Sequence, residues 1–333
     1  MSQAEVHLDP ERGLSRRAKI LAVTLSALGV AAALLITYLR SRPEVGSADF
    51  TFDPLSKVPQ IPVDTPYSSS GNIIASICLL AVGLTGVGLS IRNYVKTKNA
   101  LPIWLSLSGT MIAFPEVFFD LMGDVYYPWS EHSLAYTILG REMPWWVLTG
   151  WFGYGAFMFF EYKLLESRPK TKQLWMFWGM AAIGDLVFEE LLLQLGVYHY
   201  YGNQPLLLSI NMPWWWMPCN SAGVFLASSL AYRYRDRLKG WRGAAMILLT
   251  PMSVGAIYGF IAMPGWVVVN ANYGWFITQL GGLAVIALGV TAFCLILNVV
   301  LRRRPFHPDS RGPEDLDTAD SPMPLKETAP SAA

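Results

Sequence analysis

The feature that most constrains this chain is a recurrence of apolar runs of about twenty residues, the length a helix needs to cross a hydrocarbon core of about 30 Å. Eight such runs fall near residues 20–39, 72–91, 101–123, 144–163, 174–196, 213–232, 243–268 and 273–300. Hydrophobic residues make up 53% of the chain and charged residues only 15%, too poor a charge balance for a soluble domain of this length. The expected fold class is all-α, a polytopic transmembrane helix bundle of about eight spans.

The distribution of Lys and Arg supplies an orientation, because short cytoplasmic loops carry an excess of both. With the N-terminus inside, the basic clusters Arg12 to Lys19, Arg92 to Lys98, Lys163 to Lys172, Arg233 to Arg242 and those from Arg302 onward become cytoplasmic. Only Arg40, Arg42, Lys57 and Arg141 then lie outside. An integral, multi-pass protein with both termini cytoplasmic is expected. The net charge of +1 conceals this asymmetry, and the basic residues suit topology and anionic membrane lipids rather than a nucleic-acid surface. No nucleic-acid partner is expected.

The first span is longer than the apolar core of a signal peptide, about 7–15 residues, and no convincing cleavage site follows it, so it reads as an uncleaved anchor. Cys78, Cys219 and Cys294 fall within expected spans without metal-ligand spacing and read as buried thiols. Residues 1–18 form a polar cytoplasmic tail, 19–302 the bundle, and 303–333, rich in Pro, Ser, Asp and Glu, a disordered cytoplasmic tail. The external loop 41–70 is longer than ordinary connections and is placed to cap the outer mouth.

An internal repeat organises the middle of the chain. A shift of 69 residues aligns Met111 with Met180, Ala113 with Ala182, Glu116 with Asp185, Phe119 with Phe188 and Asp120 with Glu189. The same shift superposes Met143-Pro144-Trp145-Trp146 on Met212-Pro213-Trp214-Trp215. Similar composition and paired interfacial Trp offer a bland explanation. Acid aligned with acid, and a four-residue identity at the same offset, favour duplication of a two-helix unit, about 101–165 and 170–234. Both units point the same way, so the repeat is parallel rather than inverted.

A carboxylate in a lipid-spanning helix is unfavourable by at least about 2.5 kcal/mol and usually faces a cavity or a partner. Glu116 and Asp120, and likewise Asp185 and Glu189, are i,i+4 pairs sharing a helix face. Pro115 precedes the first pair, and a proline inside a helix frees a carbonyl and kinks the rod, which favours a cavity at that depth. No Lys, Arg or His lies inside the expected spans to pair with these acids. Desolvation and mutual repulsion then hold at least one of them as the neutral acid near neutrality, a form suited to acid catalysis. Glu190 and Asp124 are lesser candidates.

Aromatic residues crowd the same depth. Phe119, Trp145, Trp146, Phe188, Trp214 and Trp215 read either as an interfacial belt or as the wall of a cavity, where each ring face stabilises a cation by about 0.5–2 kcal/mol. Asn211, Asn220 and Ser221 flank the second Met-Pro-Trp-Trp, placed to orient a substrate oxygen or to bridge helices. His132 and His199 are not equivalent under the shift and read as solvated loop residues.

The segments Pro115-Glu116-Val117-Phe118-Phe119-Asp120 and Asp185-Leu186-Val187-Phe188-Glu189-Glu190 resemble the acid-and-aromatic motifs of membrane-bound terpene cyclases. These include the small multi-span meroterpenoid cyclases and the lycopene cyclases built of repeated helical units. The resemblance covers about a third of the chain. It implies that one carboxylic acid protonates an alkene or epoxide, a cyclisation follows, and another carboxylate removes the final proton, with no metal or cofactor required. The chain departs from the small cyclases in its eight expected spans and long first external loop.

The leading expectation is a terpenoid or polyene cyclase or isomerase acting on a lipid-soluble isoprenoid. Glu116 and Asp185 are the first acid and base candidates, with Asp120 and Glu189 beside them. The alternatives are a membrane prenyltransferase whose paired acids hold Mg²⁺ against a diphosphate, and a proton-coupled transporter or lipid carrier using the acids as a relay. A non-catalytic membrane subunit is a further alternative that leaves the buried acids unexplained. No nucleotide-binding fingerprint, Ser-His-Asp arrangement, haem motif or zinc spacing points elsewhere.

Overall fold

The computed structural model describes residues 50–62, 65–209 and 211–312, with isolated positions between 24 and 38. The first expected span and the tails 1–18 and 313–333 lie largely or wholly outside the described residues.

Helix α1 (Ser69–Thr97) begins where the Ser68 hydroxyl accepts the Gly71 N–H at 3.2 Å, and ends at Lys98, whose φ of 58° turns the chain. Helix α2 (Leu101–Ser108), a 3-10 turn (Gly109–Ile112) and helix α3 (Ala113–Gly123) then form one rod. The tightened turn lies just ahead of Pro115, which supplies no N–H and crowds the carbonyl four residues back. Helices α4 (Trp145–Glu166) and α5 (Thr171–Gln194) follow. A 3-10 turn (Trp214–Trp216) leads into α6 (Met217–Arg233), and another (Gly240–Ala245) into α7 (Met246–Ile261). The short α8 (Met263–Val269) and the long α9 (Trp275–Leu295), extended by a π turn (Ile296–Val300), complete the bundle.

Among the described residues, four helical rods are long and apolar enough to cross a membrane: Ser69–Thr97, Leu101–Gly123, Gly240–Ile261 and Trp275–Val300. Helices α4 and α5 have the length, but Trp, Tyr, Lys and carboxyl side chains dilute their apolar runs.

Two small antiparallel ribbons occupy connections that read as loops in the sequence. Strands β2 (Leu134–Ile138) and β3 (Arg141–Pro144) form a hairpin whose turn residues Leu139 and Gly140 have φ of 51° and 74°, the hand that matches strand twist. Strand β1 (Val125–Tyr126), following α3, pairs with β4 (His199–Tyr200), following α5. The bundle is thus helical with a ribbon-bearing end, and the basic clusters at Lys96, Lys163, Lys170 and Arg233 sit at helix ends remote from it.

Small residues set the helix packing. A Cβ on Gly86 would stand 2.3 Å from that of Ala156, and one on Gly155 would stand 1.9 Å from the Ser106 carbonyl oxygen. Backbones in contact at these points let α4 lie against α1 and α2 at short range. Buried hydroxyl pairs, Ser90 with Ser106 at 2.8 Å and Ser108 with Thr250 at 2.7 Å, add polar links between α1, α2 and α7.

Helix α5 is different. It packs chiefly on α6 and stands away from α1 and α4. Its two ends are tied instead. Near the ribbon end, Glu190 Oε1 accepts the backbone N–H groups of Asn211 and Met212, each at 2.9 Å. At the other end, residues 305–310 supply carbonyls to the first turns: Ser310 to the Thr171 N–H at 2.9 Å, Pro308 to the Lys172 N–H at 3.0 Å, and Pro305 to the Trp175 indole at 2.9 Å. Lys170 also pairs with Asp309 at 2.8 Å. This corrects the expectation of a disordered tail from 303 onward: residues 303–312 are docked, because the first N–H groups of a helix need partners that composition does not advertise.

Candidate active site: an acid and tyrosine chamber

Helices α3 and α5 place their acid pairs on either side of a chamber of about 50 Å³ near the ribbon end. Glu116 and Asp120 line it from α3 and Glu189 from α5. Asp185, one turn from Glu189, stands behind Tyr154 and Asn220 in the wall between this chamber and a larger apolar slot. The i,i+4 spacing thus sets both acids of α3 on the chamber, but on α5 it sets Glu189 there and Asp185 on the slot side of the wall.

Tyrosine hydroxyls, rather than cations, meet these acids. Tyr127 donates to Asp120 Oδ2 at 2.8 Å. Tyr198 and Tyr200 both donate to Glu189 Oε2, the latter at 3.3 Å. Tyr154 donates to Asp185, and Asn220 Nδ2 reaches both Asp185 oxygens at 3.2 and 3.0 Å. Tyr258 in turn donates to Asn220 Oδ1, which fixes the amide orientation. Among the described residues, none of the four acids makes an ion pair. Glu116 has no tyrosine donor: its Oε2 is buried without a hydrogen-bond partner, and the Trp151 indole is the polar group beside the carboxyl.

The wall above the acids comes from both connections. Val125 and Tyr200 of the β1–β4 ribbon, with Tyr127 and Tyr198 beside them, close the chamber at the ribbon end. Arg141 holds this roof by donating to the Val125 carbonyl at 2.7 Å. Asp124 ends α3 at φ 54° and is 2% exposed. Gly202, at φ 72°, approaches it so closely that a Cβ would lie 2.0 Å from Asp124 Oδ2.

Burial pushes the Asp124 carboxyl up to about 8, with the Arg141 guanidinium and the Tyr201 hydroxyl pulling the other way. A folded-state value above the unfolded one means the folded protein holds the proton more tightly. The resulting stability is full below about pH 4 and is lost as pH rises to about 8. Asp124→Asn is expected to flatten the decline of thermal stability across that window, measured by melting the detergent-solubilised protein over a pH series. An unchanged slope would show that this carboxyl is not the group responsible.

The slot, of about 350 Å³, runs between α1, α4 and α5 and shares Gly150, Tyr154 and Phe188 with the chamber. Its rim includes Val82 and Met180, 50% and 60% exposed on the outer surface of the helices, so it opens sideways from the bundle. Phe157 and Phe177, stacked at 5.4 Å and 12°, stand at the end remote from the acids. Gly184 lines it with no atom within 4 Å of where its Cβ would be.

Of the aromatic candidates, Trp146 and Phe188 line the chamber and Asn220 does too. Phe119 is buried one layer back, stacked on Tyr258 at 3.9 Å. Trp145 is 48% exposed on the outside, because neighbours on a helix point about 100° apart and only one of the pair can face inward. At the second Met-Pro-Trp-Trp segment the chamber residue is Trp216, not Trp214 or Trp215. Trp215 is fully buried in the packing against Gly265 and donates to Gln204 at 3.1 Å, and Trp214 is half-buried against the core. The 3-10 turn at Trp214–Trp216 delays the α-helix to Met217 and rotates the Trp register relative to α4.

Sequence reasoning missed the paired roles of Tyr127, Tyr154, Tyr198, Tyr200 and Tyr258. It also missed Glu161, 1% exposed within α4 and bonded by the Ser228 hydroxyl at 2.6 Å. Tyr154 and Glu161, seven residues apart, share a helix face, a spacing that pointed to a second polar position. Among the described residues no three His, Cys, Asp or Glu side chains come together as a metal-holding group. Comparison with known protein families, with curated proteins and with solved structures found no match for this chain.

Proposed function

We propose that the chain is a multi-pass membrane enzyme, crossing the bilayer about eight times with both termini cytoplasmic, that cyclises or isomerises a lipid-soluble isoprenoid or other polyene by acid catalysis. The observation that carries this reading is the junction of the two cavities. A narrow chamber lined by acids and tyrosines abuts, across Gly150, Tyr154 and Phe188, an apolar slot that reaches the side of the bundle. The slot lies within the lower range of small-molecule sites, about 300–1,000 Å³, whereas the chamber has room only for the reacting end of a long substrate. Two tandem copies of a two-helix unit, at about 101–165 and 170–234, account for the matching acid pairs.

Hydrogen bonding suggests a division of labour. Asp185 accepts three hydrogen bonds, from Tyr154 and twice from Asn220, which favours its anionic form and the role of base. Glu116 Oε2, without a partner, is suited to carry and donate the proton. As the Glu116 O–H bond breaks, a C–H or O–H bond forms on the substrate and a cation develops. The electrons of a neighbouring double bond then close a ring or shift the unsaturation, and Asp185 takes the proton that leaves. One proton enters and one departs, so the reaction is an isomerisation. Trp146, Trp216 and the tyrosine faces surround the cation.

The test is incubation of membranes containing the protein with linear isoprenoids in heavy water. Products of alkene protonation are expected to carry a non-exchanging deuterium at the carbon first protonated, and an oxygen-initiated product is expected only from an oxygenated substrate. No rearranged product from either substrate class, or alkene-derived products free of carbon-bound deuterium, would overturn acid initiation.

A further inference from the structure

We infer that the occupant of the chamber carries an oxygen acceptor, an ether, epoxide, carbonyl or hydroxyl, and is not a plain hydrocarbon. The inference rests on the proposed function for its slot and names the substrate class of that site. Its basis is a set of polar atoms that the protein leaves without partners. Trp146 and Trp216 line the chamber at 8% and 3% exposure, and each has a buried indole N–H with no hydrogen-bond partner. Glu116 Oε2, on the same wall, is the third. Asp120 and Glu189 already have tyrosine donors, so the indoles do not serve those two acids.

An unsatisfied buried donor is unfavourable, and an indole can only donate. Water can fill that role while the chamber is open. A ligand that displaces the water has to return its hydrogen bonds, and a hydrocarbon cannot. An oxygen acceptor in the chamber offers these indoles the partner they lack, in the space that Glu116 also lines. The apolar chain behind it continues past Tyr154 and Phe188 into the slot, whose far end is set by Phe157 and Phe177. Sites built to hydrogen-bond a ligand oxygen reject the analogue that lacks it far more strongly than apolar pockets reject a missing methylene.

The experiment compares equilibrium capture of three photoreactive probes of equal chain length by the full-length protein in nanodiscs: farnesol, its methyl ether and the corresponding hydrocarbon. Labelled peptides are quantified by mass spectrometry. The methyl ether, which can accept but not donate, is expected to match the alcohol, and both are expected to exceed the hydrocarbon by at least about tenfold at chamber residues. Trp146→Phe and Trp216→Phe keep a ring and remove the donor, and together they are expected to bring that ratio towards unity. The ratio is internal to each sample, so partial misfolding of a variant does not alter it. Equal capture of hydrocarbon and ether by the unaltered protein overturns the inference while leaving acid chemistry on alkenes standing. A ratio unchanged in the double variant also overturns it, and no capture of any probe overturns the inference and the slot reading together.

Discussion

Glu116→Gln is expected to lower turnover by about 10²–10⁴-fold, the usual contribution of a positioned general acid, while the protein remains folded. Retained folding follows from geometry. Glu116 Oε2 has no hydrogen-bond partner to lose, and Gln keeps the side-chain volume in a half-buried position. Asp185→Asn is the informative contrast. Its carboxylate accepts from Asn220 Nδ2 through both oxygens, so an amide there sets one NH₂ group against another and costs stability as well as activity. Product formation by membranes, normalised to the folded fraction from size-exclusion chromatography, separates the two. Activity of Glu116→Gln within about twofold of the unaltered protein would remove this residue from the acid role.

Gly155→Val is expected to be the most damaging single substitution in the bundle, destabilising by more than about 4 kcal/mol or preventing folding. A Cβ at this position would lie 1.9 Å from the Ser106 carbonyl oxygen and 2.8 Å from its carbon, so α2 and α4 must separate. Neither contact is with a flexible side chain, and local rotamer changes offer no relief. Gly179→Ala is the control. Nothing lies within 4 Å of its Cβ position, and Ala is the better helix former by about 1 kcal/mol, so this variant should melt no lower than the unaltered protein. Thermal unfolding of both in one detergent decides the matter, and a Gly155→Val protein that melts normally would contradict the close helix approach.

Much of the architecture was readable from the sequence because it depends on short periods. Apolar runs mark the helices, the i,i+4 rule sets Glu116 beside Asp120 and Asp185 beside Glu189, and Pro115 announces the tightened turn before it. The partners of those acids were not readable. Asn220 meets Asp185 across 35 residues and Tyr258 meets Asn220 across 38, separations over which no periodicity speaks. Tyrosine is ambiguous by nature, since its ring and hydroxyl suit an interfacial belt as well as a buried acid. Trp216 escaped notice because the 69-residue shift assumes that the helices after the two Met-Pro-Trp-Trp segments start alike, and a 3-10 turn breaks that assumption. Glu161 lies five residues from Glu166, where α4 ends, and looks like part of a solvated terminus until Ser228 is seen against it.

The docking of residues 303–312 against the start of α5 has a mechanical consequence. With Glu190 holding the opposite end, this acid-bearing helix is a beam tied at both ends and only lightly held along the side that faces the slot. Between its ends the helix is held on this side by few contacts, the Phe157–Phe177 stack and the Tyr154 bond to Asp185, with open space at Gly179 and Gly184. Thinning or thickening of the surrounding bilayer loads a helix through its ends. The width of the lateral opening is therefore expected to follow the thickness of a surrounding bilayer, with the bonds of Asp185 to Tyr154 and Asn220 resisting the change.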